Sequence, residues 1–149
     1  MNSSGSTGAR TRARELLVQA LYQKQLAGHS CDELLQQFHL QAAYNRVDQE
    51  FFDEALPAIC ESEGELQEKI SELIDRPFEQ LDPCEVAILN IGVYELESRS
   101  DIPYRVVINE GVNLAKRFGA VESHKYINAC LDLAAQSLRS IEIQSQSSG

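Results

Sequence analysis

The sequence predicts an all-α protein: about seven helices in two small packed helical bundles sharing a buried central helix. Three observations carry that expectation. Apolar residues recur at helical spacing along nearly the whole chain. No stretch alternates apolar and polar residues as a half-buried strand does. Glycines, prolines and capping residues cut the helical pattern into segments joined by short connections.

The segments follow in order. Val18, Leu21, Tyr22 and Leu26 obey the i, i+3, i+4, i+8 rule, and Gly28 stops the helix they define. Ser30-x-x-Glu33 is a capping box, in which each side chain satisfies the other residue's amide. Cys31, Leu34, Leu35 and Phe38 form the stripe behind it. Phe52, Ala55, Leu56, Ile59 and Cys60 form a third stripe, with Pro57 inside it removing one backbone donor and predicting a kink. Gly64 separates a fourth stripe of Leu66, Ile70, Leu73 and Ile74. After a connector, Asp82-Pro83-x-Glu85 supplies an N-cap, a first-turn proline and an acid at the third position. Val86 to Tyr94 is apolar almost all round, which marks a buried helix, the central strut. Gly92 within it costs about 1 kcal/mol of propensity, a cost consistent with close approach by another helix. Ile108, Val112 and Ala115 lead to a stop at Gly119, and Ile127, Cys130, Leu131, Ala134 and Leu138 define the last helix.

Residues 10–141 are expected as one all-helical domain, with sub-bundles at about 10–76 and 82–141. The Ser/Gly-rich stretch 1–9 reads as a flexible arm and 142–149 as a disordered tail. At 149 residues the chain is long enough to bury most of its apolar surface. No window approaches the run of about 18 apolar residues that a membrane span needs, so no membrane partner is expected. The four cysteines lack any Cys-x-x-Cys pair, which gives no reason for a zinc site or a dithiol centre. They read as reduced core thiols of a cytoplasmic protein, and no metal or cofactor is expected. No phosphate loop, dinucleotide fingerprint, His-Glu-x-x-His or nucleophile elbow is present, and the expectation is that the chain is not an enzyme. His124, Cys130 and Asp132 could be assembled on paper as a nucleophilic trio, but Cys130 shares the apolar face of Ile127 and Leu131.

Charge is the more informative property. The chain carries 13 Lys and Arg against 23 Asp and Glu, a formal charge of −10. Between Arg46 and Asp82 twelve acids face three bases, whereas Tyr104 to Tyr126 holds four bases and two acids. Arg10, Arg12 and Arg14 precede the first acid, Glu15. A cationic head on an acidic molecule reads as a grip for an anion, since arginines neutralise phosphates and form forked hydrogen bonds. The same three residues could simply solubilise an end, and composition leaves both readings open. A second candidate surface is Lys116-Arg117-Phe118-Gly119 followed by Glu122-Ser123-His124-Lys125-Tyr126. Helix ends meeting at a tight turn gather cations and rings, and unpaired RNA bases are held by stacking and edge contacts. Alternatively, Tyr126 staples the turn and the bases offset helix carbonyls.

Several stretches together resemble the NusB family of bacterial transcription antitermination factors. They are Arg12-Ala-Arg-Glu with Val18-Gln-Ala-Leu-Tyr22, then Ala87-Ile-Leu-Asn-Ile-Gly-Val-Tyr-Glu-Leu96 and Ser100-Asp-Ile-Pro-Tyr-Arg-Val-Val-Ile-Asn-Glu110. Leu114-Ala-Lys-Arg-Phe-Gly-Ala120 and Ser123-His-Lys-Tyr-Ile-Asn128 complete the set. The likeness runs from about Arg10 to Arg139 and is weakest between His29 and Leu81. It implies an all-helical fold of two bundles that binds single-stranded boxA RNA of ribosomal RNA operon transcripts. It further implies NusE, a small-subunit ribosomal protein, as partner, and entry of the pair into an antitermination complex on RNA polymerase. The family's arginine-rich end corresponds to Arg10, Arg12 and Arg14, with Thr11 where another arginine is common. Its second RNA surface corresponds to Glu122, Lys125 and Tyr126, where tyrosine replaces a usual phenylalanine. Tyr22 and Glu85 match partner-facing positions. The resemblance leaves monomer and homodimer open.

Two rival readings belong to other classes. One is an acidic helical protein-interaction scaffold without direct RNA binding. The other is a fragment of an RNA-modifying methyltransferase, whose cofactor domain would need a Gly-rich strand that this sequence does not contain.

Overall fold

The computed structural model describes residues 3–148, with side chains for 8–146. Among the described residues there are eight α-helices, two short 3-10 turns and no strand. The helices are α1 (Ser3–Ala27), α2 (Cys31–His39), α3 (Gln49–Glu61), α4 (Glu63–Leu73), α5 (Pro83–Ser98), α6 (Tyr104–Phe118), α7 (Ser123–Leu138) and α8 (Ser140–Ser148). The turns are Ala42–Arg46 and Phe78–Gln80. The chain divides into two compact units, Met1–Glu63 and Gly64–Gly149. The division therefore falls before α4 rather than in the connector at 76–82. The all-α class matches the sequence expectation, and the extra helix, α8, occupies most of the stretch expected as a tail. Likewise α1 begins at Ser3, within the expected arm, of which residues 1 and 2 lie outside the described residues, as does residue 149 of the tail. Once a helix is nucleated, each further residue adds one hydrogen bond at little cost.

In the first unit α1 and α2 pack on α3, burying Leu17, Leu34, Phe38, Phe51, Phe52, Leu56 and Ile59. The predicted stripe of α3 is buried from Phe52 to Ile59, and the helix continues through Pro57 to Glu61. The predicted stripe of α1 is only half right. Val18 and Leu21 are buried, but Tyr22 and Leu26 are exposed. At roughly 100° per residue they lie about half a turn from the buried line Ala13–Leu17–Ala20. The capping box at Ser30 forms as expected, with Glu33 N donating to Ser30 Oγ at 3.2 Å and Ser30 N to Glu33 Oε1 at 2.9 Å. Asp48 ties the start of α3 to α1. It caps α3 by accepting from Phe51 N at 3.0 Å, and its own amide donates to the Ala9 carbonyl at 2.9 Å.

The second unit is built on α5, buried continuously from Val86 to Leu96, with α6 and α7 packed against it and against each other. The expected cap is present: Glu85 N donates to Asp82 Oδ1 at 2.8 Å, Asp82 N to Glu85 Oε1 at 3.2 Å, and Pro83 occupies the first turn. The close approach expected at Gly92 is also there. A Cβ on Gly92 would stand 2.5 Å from Leu131 Cδ2, and one on Gly111 2.5 Å from Leu131 Cδ1. Leu131 of α7 thus fills a notch cut into α5 and α6 by two glycines.

All four cysteines are reduced; Cys130 is buried and Cys31, Cys60 and Cys84 are half-buried. Burial first, and then the neighbouring Cys31, push the Cys60 thiol up to about 12. A thiol so raised stays protonated at neutral pH, and of the four cysteines expected in the core only Cys130 is buried there. No described helix is long and apolar enough to cross a membrane.

Candidate nucleic-acid interface

The three arginines of α1 do not share one environment. Arg14 is 2% exposed, with its guanidinium 5.2 Å from the centroid of the Phe51 ring. Arg10, one turn earlier, lies 5.1 Å from the same ring, and its Nε donates to Asp48 Oδ2 at 3.1 Å. Of the three, only Arg12 is exposed. Residues four apart lie on one helix face, so Arg10 and Arg14 grip Phe51 together while Arg12 turns outward. The Phe51 ring and the Asp48 cap recruit two of the three cations into the fold, and neither recruitment is visible from the run of arginines alone.

The turn between α6 and α7 is tightly specified. Gly119 follows α6, and a Cβ there would come within 2.8 Å of the Ala115 carbonyl oxygen and 3.0 Å of Ser123 Cβ. Glu122 adopts a left-handed backbone conformation, φ 71°, the sole non-glycine residue to do so among those described. Ser123, buried at the start of α7, donates to Glu85 Oε2 at 2.8 Å. Around this fixed turn Lys116, Arg117, Glu122 and Lys125 are exposed and Phe118 is half-buried. The Arg117 guanidinium lies 5.5 Å from the Phe118 centroid, and Lys125 Nζ pairs with Glu122 Oε2 at 2.8 Å.

Tyr126 is half-buried rather than open. Its hydroxyl is buried and meets no partner of good hydrogen-bonding geometry. Burial, and then the Cys130 thiol, push that hydroxyl up to about 12. One face of the ring is covered by Arg76, whose guanidinium sits 4.1 Å from the centroid. Sequence reading did not place Arg76 here, because it comes from the connector after α4 and no local spacing joins it to α7.

Of the two residues expected to face a partner, Tyr22 is 39% exposed, whereas Glu85 is half-buried. Both Glu85 carboxylate oxygens accept bonds within the fold, from Asp82 N and Ser123 Oγ. The paper trio of His124, Cys130 and Asp132 is not joined by any hydrogen bond among the described residues. The Cys130 thiol instead points to the Leu73 carbonyl at 3.7 Å, and Asp132 accepts from Gln136. No cluster of three or more potential metal ligands occurs among the described residues.

A profile of the NusB family matches residues 11–136. The chain is 48% identical over 132 residues to the transcription antitermination protein NusB of Halorhodospira halophila, covering 89% of this chain and 84% of that one. It is 39% identical over 142 residues to the protein of that name from Pseudomonas syringae pv. tomato, covering 95% and 86%. The solved structure of T. maritima NusB superposes with a TM-score of 0.78 at 27% identity, covering 85% of this chain and 90% of that one. Sequence, extent and fold agree: the chain belongs to the NusB family.

Proposed function

We propose that this protein is a cytoplasmic transcription antitermination factor. It binds boxA RNA of ribosomal RNA operon transcripts together with NusE and joins an antitermination complex on RNA polymerase. The names of its relatives support the antitermination role. One observation carries the RNA reading: the α6–α7 turn collects Lys116, Arg117, Lys125 and the rings of Phe118 and Tyr126 on a molecule of net charge −10. An acidic surface disfavours indiscriminate polyanion binding, so a small cationic site with rings must rely on stacking and base-edge contacts. Arg12 adds an outward cation on the first unit, alongside the partly engaged Arg10 and Arg14. Glu122 acts with Lys125 at the turn. Tyr22 and Glu85 serve the protein partner, and the acidic helices attract a basic ribosomal protein.

About three or four phosphate contacts give only modest, salt-sensitive affinity, so RNA capture is expected to be tight only with the partner present. Titrations of boxA RNA and a scrambled control, with and without NusE and at two salt concentrations, test this. Equal affinities for boxA and control would refute it.

A second reading, an acidic scaffold without direct RNA contact, draws on the engagement of Arg10 with Asp48 and the burial of Arg14. Under it, replacing Arg12, Lys116, Arg117 and Lys125 by Ala leaves the RNA titration unchanged and alters only partner binding.

A further inference from the structure

At the α6–α7 corner the Tyr126 ring does not present both faces, because the Arg76 guanidinium is stacked on one of them. The Tyr126 hydroxyl end is buried, which fixes the ring from its inner edge. Arg76 lies over the ring face at 4.1 Å, and its Nε donates to Asp75 Oδ1 at 2.9 Å. Its side chain nevertheless remains 41% exposed, and its two terminal nitrogens make no hydrogen bond among the described residues. A planar cation held by its Nε and backed by a ring is already oriented for a ligand before one arrives. Its rotamer freedom is reduced in advance, which lowers the cost of binding.

Guanidinium planes accept unpaired bases by stacking, and their N–H groups reach base edges and phosphates. The carboxylate of Asp75 occupies Nε, which leaves the terminal nitrogens and the outer face of the guanidinium for a ligand. A flat base can use that outer face and the terminal nitrogens together, whereas a phosphate would use the nitrogens alone.

We propose that Arg76 is the base-receiving residue of this surface: an unpaired RNA base stacks on the outer face of its guanidinium, with Tyr126 as the backing layer and the terminal nitrogens bonding to the base edge. This rests on the RNA-binding reading above. It shifts the stacking platform from the ring predicted by sequence to a cation drawn from a different segment of the same unit.

The test uses the full chain with NusE and a boxA RNA carrying a fluorescent adenine analogue at successive positions. Wild type is expected to prefer boxA over the scrambled control and to quench the analogue at one position. Arg76→Ala, Arg76→Gln and Arg76→Lys are each expected to lose roughly tenfold in affinity and to relieve that quenching, the size of one stacked base. Lysine keeps the charge but lacks the plane, so an Arg76→Lys protein with wild-type affinity beside a weakened Arg76→Ala protein would mean a phosphate contact and overturn the inference. Variants indistinguishable from a boxA-selective wild type would overturn it alone. A wild type that fails to discriminate boxA would instead remove the RNA reading itself. Thermal unfolding separates folding from binding. Since Arg76 is an exposed connector residue, all three variants are expected to melt within a few degrees of wild type.

Discussion

Phe51 decides what the arginine head can do. With Arg10 and Arg14 on its ring, the two cations differ from Arg12 in role as well as in exposure. Arg14→Ala is therefore expected to destabilise the protein by about 1–3 kcal/mol in urea denaturation, through lost packing of the guanidinium on the ring. Arg12→Ala is expected to leave stability unchanged and to lower the salt dependence of RNA binding by about one phosphate contact. Glu85 poses the same question of fold against function. Because both its oxygens accept bonds from Asp82 N and Ser123 Oγ, Glu85→Ala is expected to cost about 1–2 kcal/mol in the isolated protein. A variant of full stability and weakened partner binding would leave the carboxylate a purely partner-facing role. Tyr44 and Tyr126 add a pH signature. Both phenols are raised to about 12, chiefly by burial, and Tyr44 also donates to Asp53 at 2.7 Å. Their neutral forms are favoured by folding, so their contribution is complete below pH about 10, the unfolded value, and is lost as pH rises towards 12. Tyr44→Phe with Tyr126→Phe is expected to flatten the alkaline fall in unfolding free energy, read by circular dichroism.

Among the elements, the α5–α6–α7 packing turns on one side chain. Leu131 occupies the space that a methyl group on Gly92 or Gly111 would claim, so the three helix axes approach only because both residues lack a Cβ. Gly92→Ala and Gly111→Ala are each expected to destabilise by about 1–3 kcal/mol, although alanine is the better helix former by about 1 kcal/mol. Combining Gly92→Ala with Leu131→Ala is expected to cost less than the sum of the two single changes, because the second relieves the clash. The far end of α5 depends on Arg139, which is buried after α7. Its Nε donates to the Leu96 carbonyl at 2.7 Å and its Nη2 to those of Glu95 and Arg99 at 3.1 and 2.8 Å. Nη1 meets Glu142 Oε1 at 2.6 Å, joining α8 to the same cap. A cation at a helix C-terminus offsets the negative end of the dipole, and here it also satisfies carbonyls that the helix leaves over. Arg139→Lys retains the charge but cannot reach three carbonyls and a carboxylate together. It is expected to recover only part of the stability lost in Arg139→Ala, measured by thermal melting.

Across the whole molecule, a charge of −10 sets the terms of every encounter. Association with a basic partner is expected to slow as salt rises, with the change in the on-rate and little in the off-rate, as stopped-flow mixing would show. RNA affinity should weaken with salt for a different reason, the counterions released from its phosphates. On the proposed reading, a molecule with this balance gains selectivity from flat groups and fixed turns more than from charge. The stack of Arg76 on Tyr126 and the Gly119–Ser123–Glu85 contacts around the turn are features of that kind.

Much of the fold was legible because its causes are local. The two capping boxes, the all-round apolar run of α5 and the small residue at Gly92 each follow from spacing along one helix. Family membership was legible in the matching stretches after Leu81. The first helix was misread at Tyr22 and Leu26 because a short window fits more than one apolar stripe, and only the neighbours on α2 and α3 choose between them. The candidate surface could be proposed from the sequence as a list of residues, but its arrangement could not. Phe51 claiming Arg10 and Arg14, Arg139 capping α5 and Arg76 covering Tyr126 all join segments distant in sequence. Local spacing thus determined which helices form and where they stop. Tertiary packing alone decided which cations are held by the fold and which face solvent, because that depends on rings and carbonyls delivered from elsewhere in the chain.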